Sequence, residues 1–201
     1  MTRRLQTSEE TGGPRSGPLH FRQVAGCFPT GITLVSTLVN GEPHGMTANA
    51  FTTVSLDPLL VLVCVNRNTR MQRFIEASRV FAITVLAADQ QDVSGRFADA
   101  TRPTGWAAFA TFTYLAAPAT GCPVLRHGLA FFDCAVTDIH LAGDHCLVVG
   151  EALAFDELDK RPALVFVDGR YATLPRSWAT SETAGHSLRT GCCSARSAPQ
   201  T

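Results

Sequence analysis

Three short stretches of this 201-residue sequence combine residue types and spacings that could do chemistry. The first is GMTANAFTTVS, Gly45 to Ser55. It is strand-like, yet it carries small hydroxyl and amide side chains where a strand that only closes a core would carry Val, Ile, Leu and aromatics. That polar capacity calls for a wet face or for a ligand. The second is NRNTR, Asn66 to Arg70, with Gln72 beyond it. Thr69 and Gln72 have the spacing of a capping box, and the free N–H groups of a helix start favour an anion. Asn66, Thr69 and Arg70 are therefore candidate phosphate donors, and Thr69 can cap the helix at the same time. The third is Gly143-Asp144-His145, a turn in which Gly permits tight backbone approach. His145 could be structural or could meet a ligand, and Asp144 could orient it or close the turn.

Other chemistries are not encoded in their usual form. Cysteines occur at 27, 64, 122, 134, 146, 192 and 193. Their odd number, without C-x-x-C spacing or a secretory signal, argues against a disulfide framework or a zinc knuckle, and most are expected to be small core residues. The histidines show no H-E-x-x-H spacing, so no metal is expected. There is no G-x-G-x-x-G after a strand, no P-loop and no G-x-S-x-G elbow. Lys plus Arg and Asp plus Glu are both 17, giving a net charge of 0, and this offers no electrostatic case for nucleic acid or anionic membrane. The apolar run LLVLVCV is too short to span a bilayer. The N-terminus has two arginines but no apolar segment behind them. The expectation is a cytoplasmic protein.

These residues need elements to position them. Residues 1–18 and 175–201 lack hydrophobic periodicity and read as a disordered and a loosely ordered tail, leaving a domain at 19–174. GITLVSTLV ends at Asn40-Gly41, a strong hairpin signal, so GMTANAFTTVS is expected to be the return arm. LLVLVCV is apolar on both faces, as in a fully buried strand. A short helix follows, with Met71, Phe74 and Ile75 on one face, ending near Ser78. VFAITVLA is a strand, and Asp89 is expected to cap a second helix carrying Val93 and Phe97. Further strands are expected near 111–115, 131–141, 145–155, 163–167 and 171–174. The outcome is a mostly β chain, a barrel with short helical insertions.

PTGITLVST, GMTANAFTTVSLDPLLVLVCVNRNT, FAITVLAADQQDVSGRFA, GCPVL, GDHCLVVGEA and GRYATL occur in the order and approximate spacing of the flavin reductase family, which the chain resembles over about residues 21–174. These are reductase components of two-component flavin-dependent monooxygenases. The resemblance implies an FMN-binding split β-barrel, a Greek-key-like antiparallel barrel of six strands, and a homodimer. It implies FMN or FAD and NADH or NADPH as cofactors, hydride transfer from nicotinamide to flavin, and transfer of reduced flavin to a partner monooxygenase or halogenase. By this resemblance Thr47, Ala48, Asn49 and Ala50 lie along the flavin ring and ribityl chain, with Ser55 nearby, and Pro29 and Thr30 meet the ribityl end. Asn66, Thr69 and Arg70 meet the phosphate. The stretch from Ser94 to Phe97 lies close to flavin, His145 faces the nicotinamide beside Asp144, and Tyr171 contributes to the pocket. The segment DATRPTGWAAFATF, residues 99–112, departs from the family's usual acidic-Arg-Phe pattern. Two other readings stand beside this one: a flavin-binding barrel with another redox partner or a storage role, and an interaction barrel whose polar strand faces water.

Overall fold

The structure, a computed structural model, describes residues 17–174, so the expectations for the two tails, and for Cys192 and Cys193, fall almost wholly outside it. The chain runs α1 (Pro18–Gly26), β1 (Thr30–Gly31), β2 (Thr33–Val39), β3 (Glu42–Ala48), β4 (Phe51–Leu56), β5 (Leu59–Asn66), α2 (Arg70–Ser78) and β6 (Val80–Val85). It continues through α3 (Gln91–Ala98), α4 (Trp106–Phe109), β7 (Tyr114–Ala116), β8 (Pro123–Leu125), β9 (Ala130–Ala142), β10 (His145–Glu157), β11 (Ala163–Val167) and β12 (Arg170–Leu174).

Antiparallel pairing joins seven strands in the order β3-β2-β6-β9-β10-β5-β4, with β1-β11-β12 and β7-β8 as smaller sheets. The β2–β3 hairpin turns at Asn40 and Gly41, both at positive φ (51° and 79°), the conformation a two-residue primed turn requires. Two expectations are corrected here. GMTANAFTTVS is not one strand: it breaks at Asn49-Ala50 into β3 and β4, which occupy opposite ends of the seven-strand order. Ala48 and Phe51 are three residues apart and so at most about 11 Å apart, which means that the sheet curls until its outer strands meet at this corner. The Cys64 N–H bonds the Ala50 carbonyl at 3.0 Å, carrying the β4–β5 pairing up to the corner. The main sheet accordingly has seven strands, not six.

The β5 strand is also one-sided. Val61, Val63 and Val65 are buried while Leu60, Leu62 and Cys64 are only half-buried, because the barrel interior covers one face. The interior packs those valines with Val35, Ile83, Val148, Met71 and Ile75. A second cluster joins Ile32, Leu34, Leu86 and Leu164 to Val93 and Phe97 of α3 and to Phe109 of α4.

The Thr69 cap on α2 is present: its hydroxyl accepts from the Gln72 N–H at 3.3 Å. Gln72 returns its amide oxygen to the Asn68 N–H at 2.6 Å, one residue before the expected partner. Asp89 does not cap α3. Gln90 holds the N-cap position with its side chain turned back to the Ala87 N–H at 2.8 Å, and Asp89 pairs with Arg161. Helix α1 was not foreseen. Pro18 at its start is the kind of signal that marks a first helical turn, but none of its residues is buried, so apolar periodicity gave no warning.

Asp133 is fully buried and ties β9 to the loop before β8. Its carboxylate accepts from the Ala119 N–H (2.7 Å), the Thr120 N–H (3.2 Å) and the Thr120 hydroxyl (2.5 Å). Cys122, Cys134 and Cys146 are buried, Cys64 is half-buried and Cys27 is exposed. Burial pushes the Cys122 thiol up to about 11 and the Cys134 thiol up to about 12, so neither is a nucleophile at neutral pH. Among the described residues no helix is long and apolar enough to cross a membrane, and no cluster of three His, Cys, Asp or Glu is placed to hold a metal.

Candidate functional site

A cleft of about 620 Å³ opens where the second half of the β2–β3 hairpin passes the start of α2 and the end of α3. Thr47, Asn66, Thr69, Arg70 and Phe97 line it, together with His44, Met46 and Arg102. A smaller lobe of about 180 Å³, lined by Thr47, Asn49, Ser94, Ala98, Phe166 and Tyr171, shares Thr47 and Ala98 with the larger one. The two form one groove with a cationic end at α2 and a hydroxyl-rich end at α3 and β12.

The hydroxyl-rich end is preorganised. Thr47 donates to the Ser94 carbonyl at 2.6 Å, and the Ser94 hydroxyl bonds the Tyr171 hydroxyl at 2.8 Å. Asn49, on the corner between β3 and β4, is exposed and brings both donor and acceptor capacity to the lobe. Beside it, β1 pairs Thr30 with Phe166, and the buried Thr30 hydroxyl finds no hydrogen-bond partner among the described residues. Gly45 is small for a different reason. A Cβ there would stand 2.7 Å from the Phe97 ring, so the smallness seats α3 against β3. Phe97, only 1% exposed, is mainly a wall behind the cleft.

At the cationic end the Thr69 hydroxyl donates to the Asn66 carbonyl at 2.7 Å while accepting from Gln72. Arg70 follows as the first residue of α2, paired with Glu42 at 2.5 Å. Arg102, from the loop between α3 and α4, donates to the Asp99 carbonyl at 2.6 Å and to the Gly45 carbonyl. His44 lies with them. Burial first, and then the Arg102 and Arg70 charges, lower its pKa to about 4, so at neutral pH the imidazole is uncharged.

Sequence reasoning missed His44 and Arg102. One signal was available for His44: it sits two residues before Met46, and period two puts both on one face of β3. Arg102 had none, because a loop and not a periodic element carries it into the cleft.

The remaining expected site residues lie elsewhere. The Ala48 side chain belongs to the main core. Ala50 is exposed, and Ser55 accepts from the Asp57 N–H at 3.1 Å in the β4–β5 turn. Pro29 is exposed and lines neither lobe. His145 and Asp144 line a separate cavity with Leu19, Phe21 and Arg22 of α1, although His145 faces Asn66, a cleft residue, across the β5–β10 ladder. The His145 Nδ1 lies 2.7 Å from an Asp144 carboxylate oxygen. That hydrogen bond, with the His145 charge behind it, holds the Asp144 carboxyl below the usual range. An ionised carboxylate can only accept, so Nδ1 donates to it and Nε2 is turned away from Asp144.

The groove fits a flavin on its own terms. Its hydroxyl and amide lobe suits the polar edge and ribityl chain, the unpaired Thr30 hydroxyl stands beside that lobe, and the start of α2 supplies phosphate donors.

Three known proteins bear on this geometry. The family pattern described as "Flavin reductase like domain" matches residues 25–175. The reductase subunit HsaB of a flavin-dependent monooxygenase from Rhodococcus jostii is 34% identical over 167 residues, 80% of this chain and 83% of that protein. Among solved structures, BorF, the flavin reductase component of a bacterial two-component tryptophan halogenase, superposes with a TM-score of 0.75 at 39% identity, covering 78% of this chain and 98% of its own. The NADH:FAD oxidoreductase SgcE6 of Streptomyces globisporus, solved in complex with NAD and FAD fragments, gives a TM-score of 0.72 at 35% identity over 77% of this chain and 90% of its own. These neighbours share the antiparallel split barrel.

Proposed function

The chain belongs to the flavin reductase-like domain family, and on that premise we propose that the groove between β3, α2, α3 and β12 is its flavin site. The protein is an NADH-dependent flavin reductase that hands reduced FMN or FAD to a partner monooxygenase or halogenase component. The observation that carries the site is the continuity of the groove: one end presents Thr69, Arg70 and the start of α2, the other Thr47, Asn49, Ser94 and Tyr171, with Thr47 and Ala98 common to both lobes.

Flavin, when bound, accepts hydride from reduced nicotinamide, and this transfer needs no general acid or base. The chain's work is binding and alignment. The Thr69 hydroxyl, Asn66 and Arg70 hold the phosphate. The Thr47–Ser94–Tyr171 chain fixes the polar wall along the ring and ribityl, with Asn49 completing it. Asp144 fixes the ring of His145 so that Nε2 can meet the nicotinamide carboxamide, and the place of His145 opposite Asn66 in the ladder supports that role.

The homodimer is part of the same proposal. Val54 and Leu56 on β4 and Leu153 and Phe155 on β10 are each at least half exposed, an apolar surface that a second copy would cover. The work falls to the cytoplasm, where NADH is replenished.

Purified protein mixed with NADH and free FMN or FAD tests the activity. Loss of NADH absorbance is expected well above a flavin-only control, and no excess overturns the reading. Quenching of flavin fluorescence without turnover would instead favour a carrier. His145→Ala should raise the KM for NADH about tenfold with little change for flavin; equal losses would make the residue structural. Light scattering should return the mass of a dimer.

A further inference from the structure

We propose that Arg102 is a specificity-determining residue: it reads the second phosphate of a flavin dinucleotide, beyond the position that Thr69, Arg70 and the start of α2 form for the first. The proposal deepens the flavin-reductase reading and rests on it.

Two guanidinium groups from different elements line the cleft, and their charges are treated differently. Arg70 is neutralised by Glu42. Arg102 makes its hydrogen bonds to the carbonyls of Asp99 and Gly45 and has no ion pair among the described residues. Asp99, the acid on its own loop, turns its carboxylate to the N–H and hydroxyl of Thr101 at 2.7 and 2.8 Å. Arg102 is thus half-buried, anchored by neutral carbonyls and, among the described residues, in no ion pair. Burial opposes its charged form, and the charges of Arg70 and Arg96 add to that, with Asp99 offsetting only part. A half-buried cation fixed by neutral groups in a cleft lined by no carboxylate is stabilised by a bound anion. His44 lies between the two guanidiniums electrostatically and remains neutral at working pH, so it leaves the positive field intact.

The chemistry of the ligand follows. FMN ends in one phosphate monoester, which the α2 position satisfies. FAD continues through a diphosphate to adenosine and needs a second cation farther along the same groove. Arg102 lines the same cleft from a different element than Arg70, with Pro103 and Thr104 beside it in the wall. NADH also carries a diphosphate, so the experiment separates the two sources.

Arg102→Gln is compared with the unaltered protein in steady-state assays with FAD, FMN and NADH varied in turn, and in flavin-binding titrations by fluorescence quenching. The KM and Kd for FAD should rise about tenfold, those for FMN less than about threefold, with kcat within about twofold and the KM for NADH unchanged. Arg102→Lys, which keeps the charge without the planar fork, should recover part of the FAD affinity. Equal losses for FAD and FMN would overturn the proposal by making Arg102 a prop for the loop. A rise confined to NADH would overturn it in favour of the nicotinamide dinucleotide. If Arg102→Gln fails to fold, Arg102→Lys is read by the same criterion: loss selective for FAD supports the proposal, and loss shared with FMN overturns it. Absence of NADH oxidation with either flavin by the unaltered protein would fail the reductase reading instead, and the binding titrations would still decide whether Arg102 discriminates FAD from FMN.

Discussion

Asp133 and the groove are both polar regions set in an apolar fold, and they use hydrogen bonds in opposite ways. Asp133 is fully buried, and both of its oxygens are satisfied by groups of one loop. Around the groove, capacity is left over: among the described residues the buried Thr30 hydroxyl has no hydrogen-bond partner and Arg102 has no ion pair, and Asn49 is exposed. A polar group whose bonds are spent inside the protein holds the fold together. One whose bonds are held back is placed for something that arrives later, at some cost to stability.

The sharpest way to break that contrast is Asp133→Ala, which leaves the Ala119 and Thr120 donors without their acceptor. A loss of about 3 kcal/mol is expected in urea denaturation, with flavin KM values unchanged in the protein that remains folded. A change in KM at unaltered stability would erase the distinction. Thr69→Ala touches both categories, since its hydroxyl caps α2 and faces the groove. It should lower stability by about 1 kcal/mol and raise the KM for both flavins several-fold. Tyr171→Phe removes one groove hydroxyl. Stability should stay within about 0.5 kcal/mol while flavin affinity falls about threefold, checked by thermal melting beside fluorescence titration.

A pH dependence is also expected from His44. Its pKa is lowered to about 4 in the folded chain against roughly 6.5 when unfolded, so the unfolded state binds the extra proton first. Stability is then lost as pH falls from about 6.5 toward 4 and levels off below that. His44→Gln should flatten this part of the profile, measured by denaturation at a series of pH values.

What the sequence made legible was local. The Asn40-Gly41 turn, the Thr69 cap and the short strands follow from turn chemistry, capping and β-branched runs. The start of α2 offered Asn66, Thr69 and Arg70, and the resemblance to flavin reductases pointed to Thr47 and Asn49; with Tyr171 these line the two adjoining lobes. What was not legible depends on contacts between distant segments. The break falls at Asn49-Ala50, residues of low strand propensity, but the corner they make is imposed by barrel closure and not by the stretch itself. Gln90 displaced Asp89 at the start of α3 because Arg161, far along the chain, takes the Asp89 carboxylate. The groove role of Arg102 depends on where its loop lands.

The corner at Asn49-Ala50 also couples events that are usually read apart. The same two residues close the barrel seam and deliver Asn49 to the groove, so any local opening that parts β3 from β4 also dismantles the ligand wall. A ligand that binds only the closed seam lowers the population of that opening by the factor 1 + [L]/Kd. The Cys64 amide, bonded to the Ala50 carbonyl on the β4–β5 side of the corner, reports on the backbone of the corner itself. Its hydrogen-exchange rate would serve as a gauge of flavin occupancy that needs no nicotinamide and no turnover.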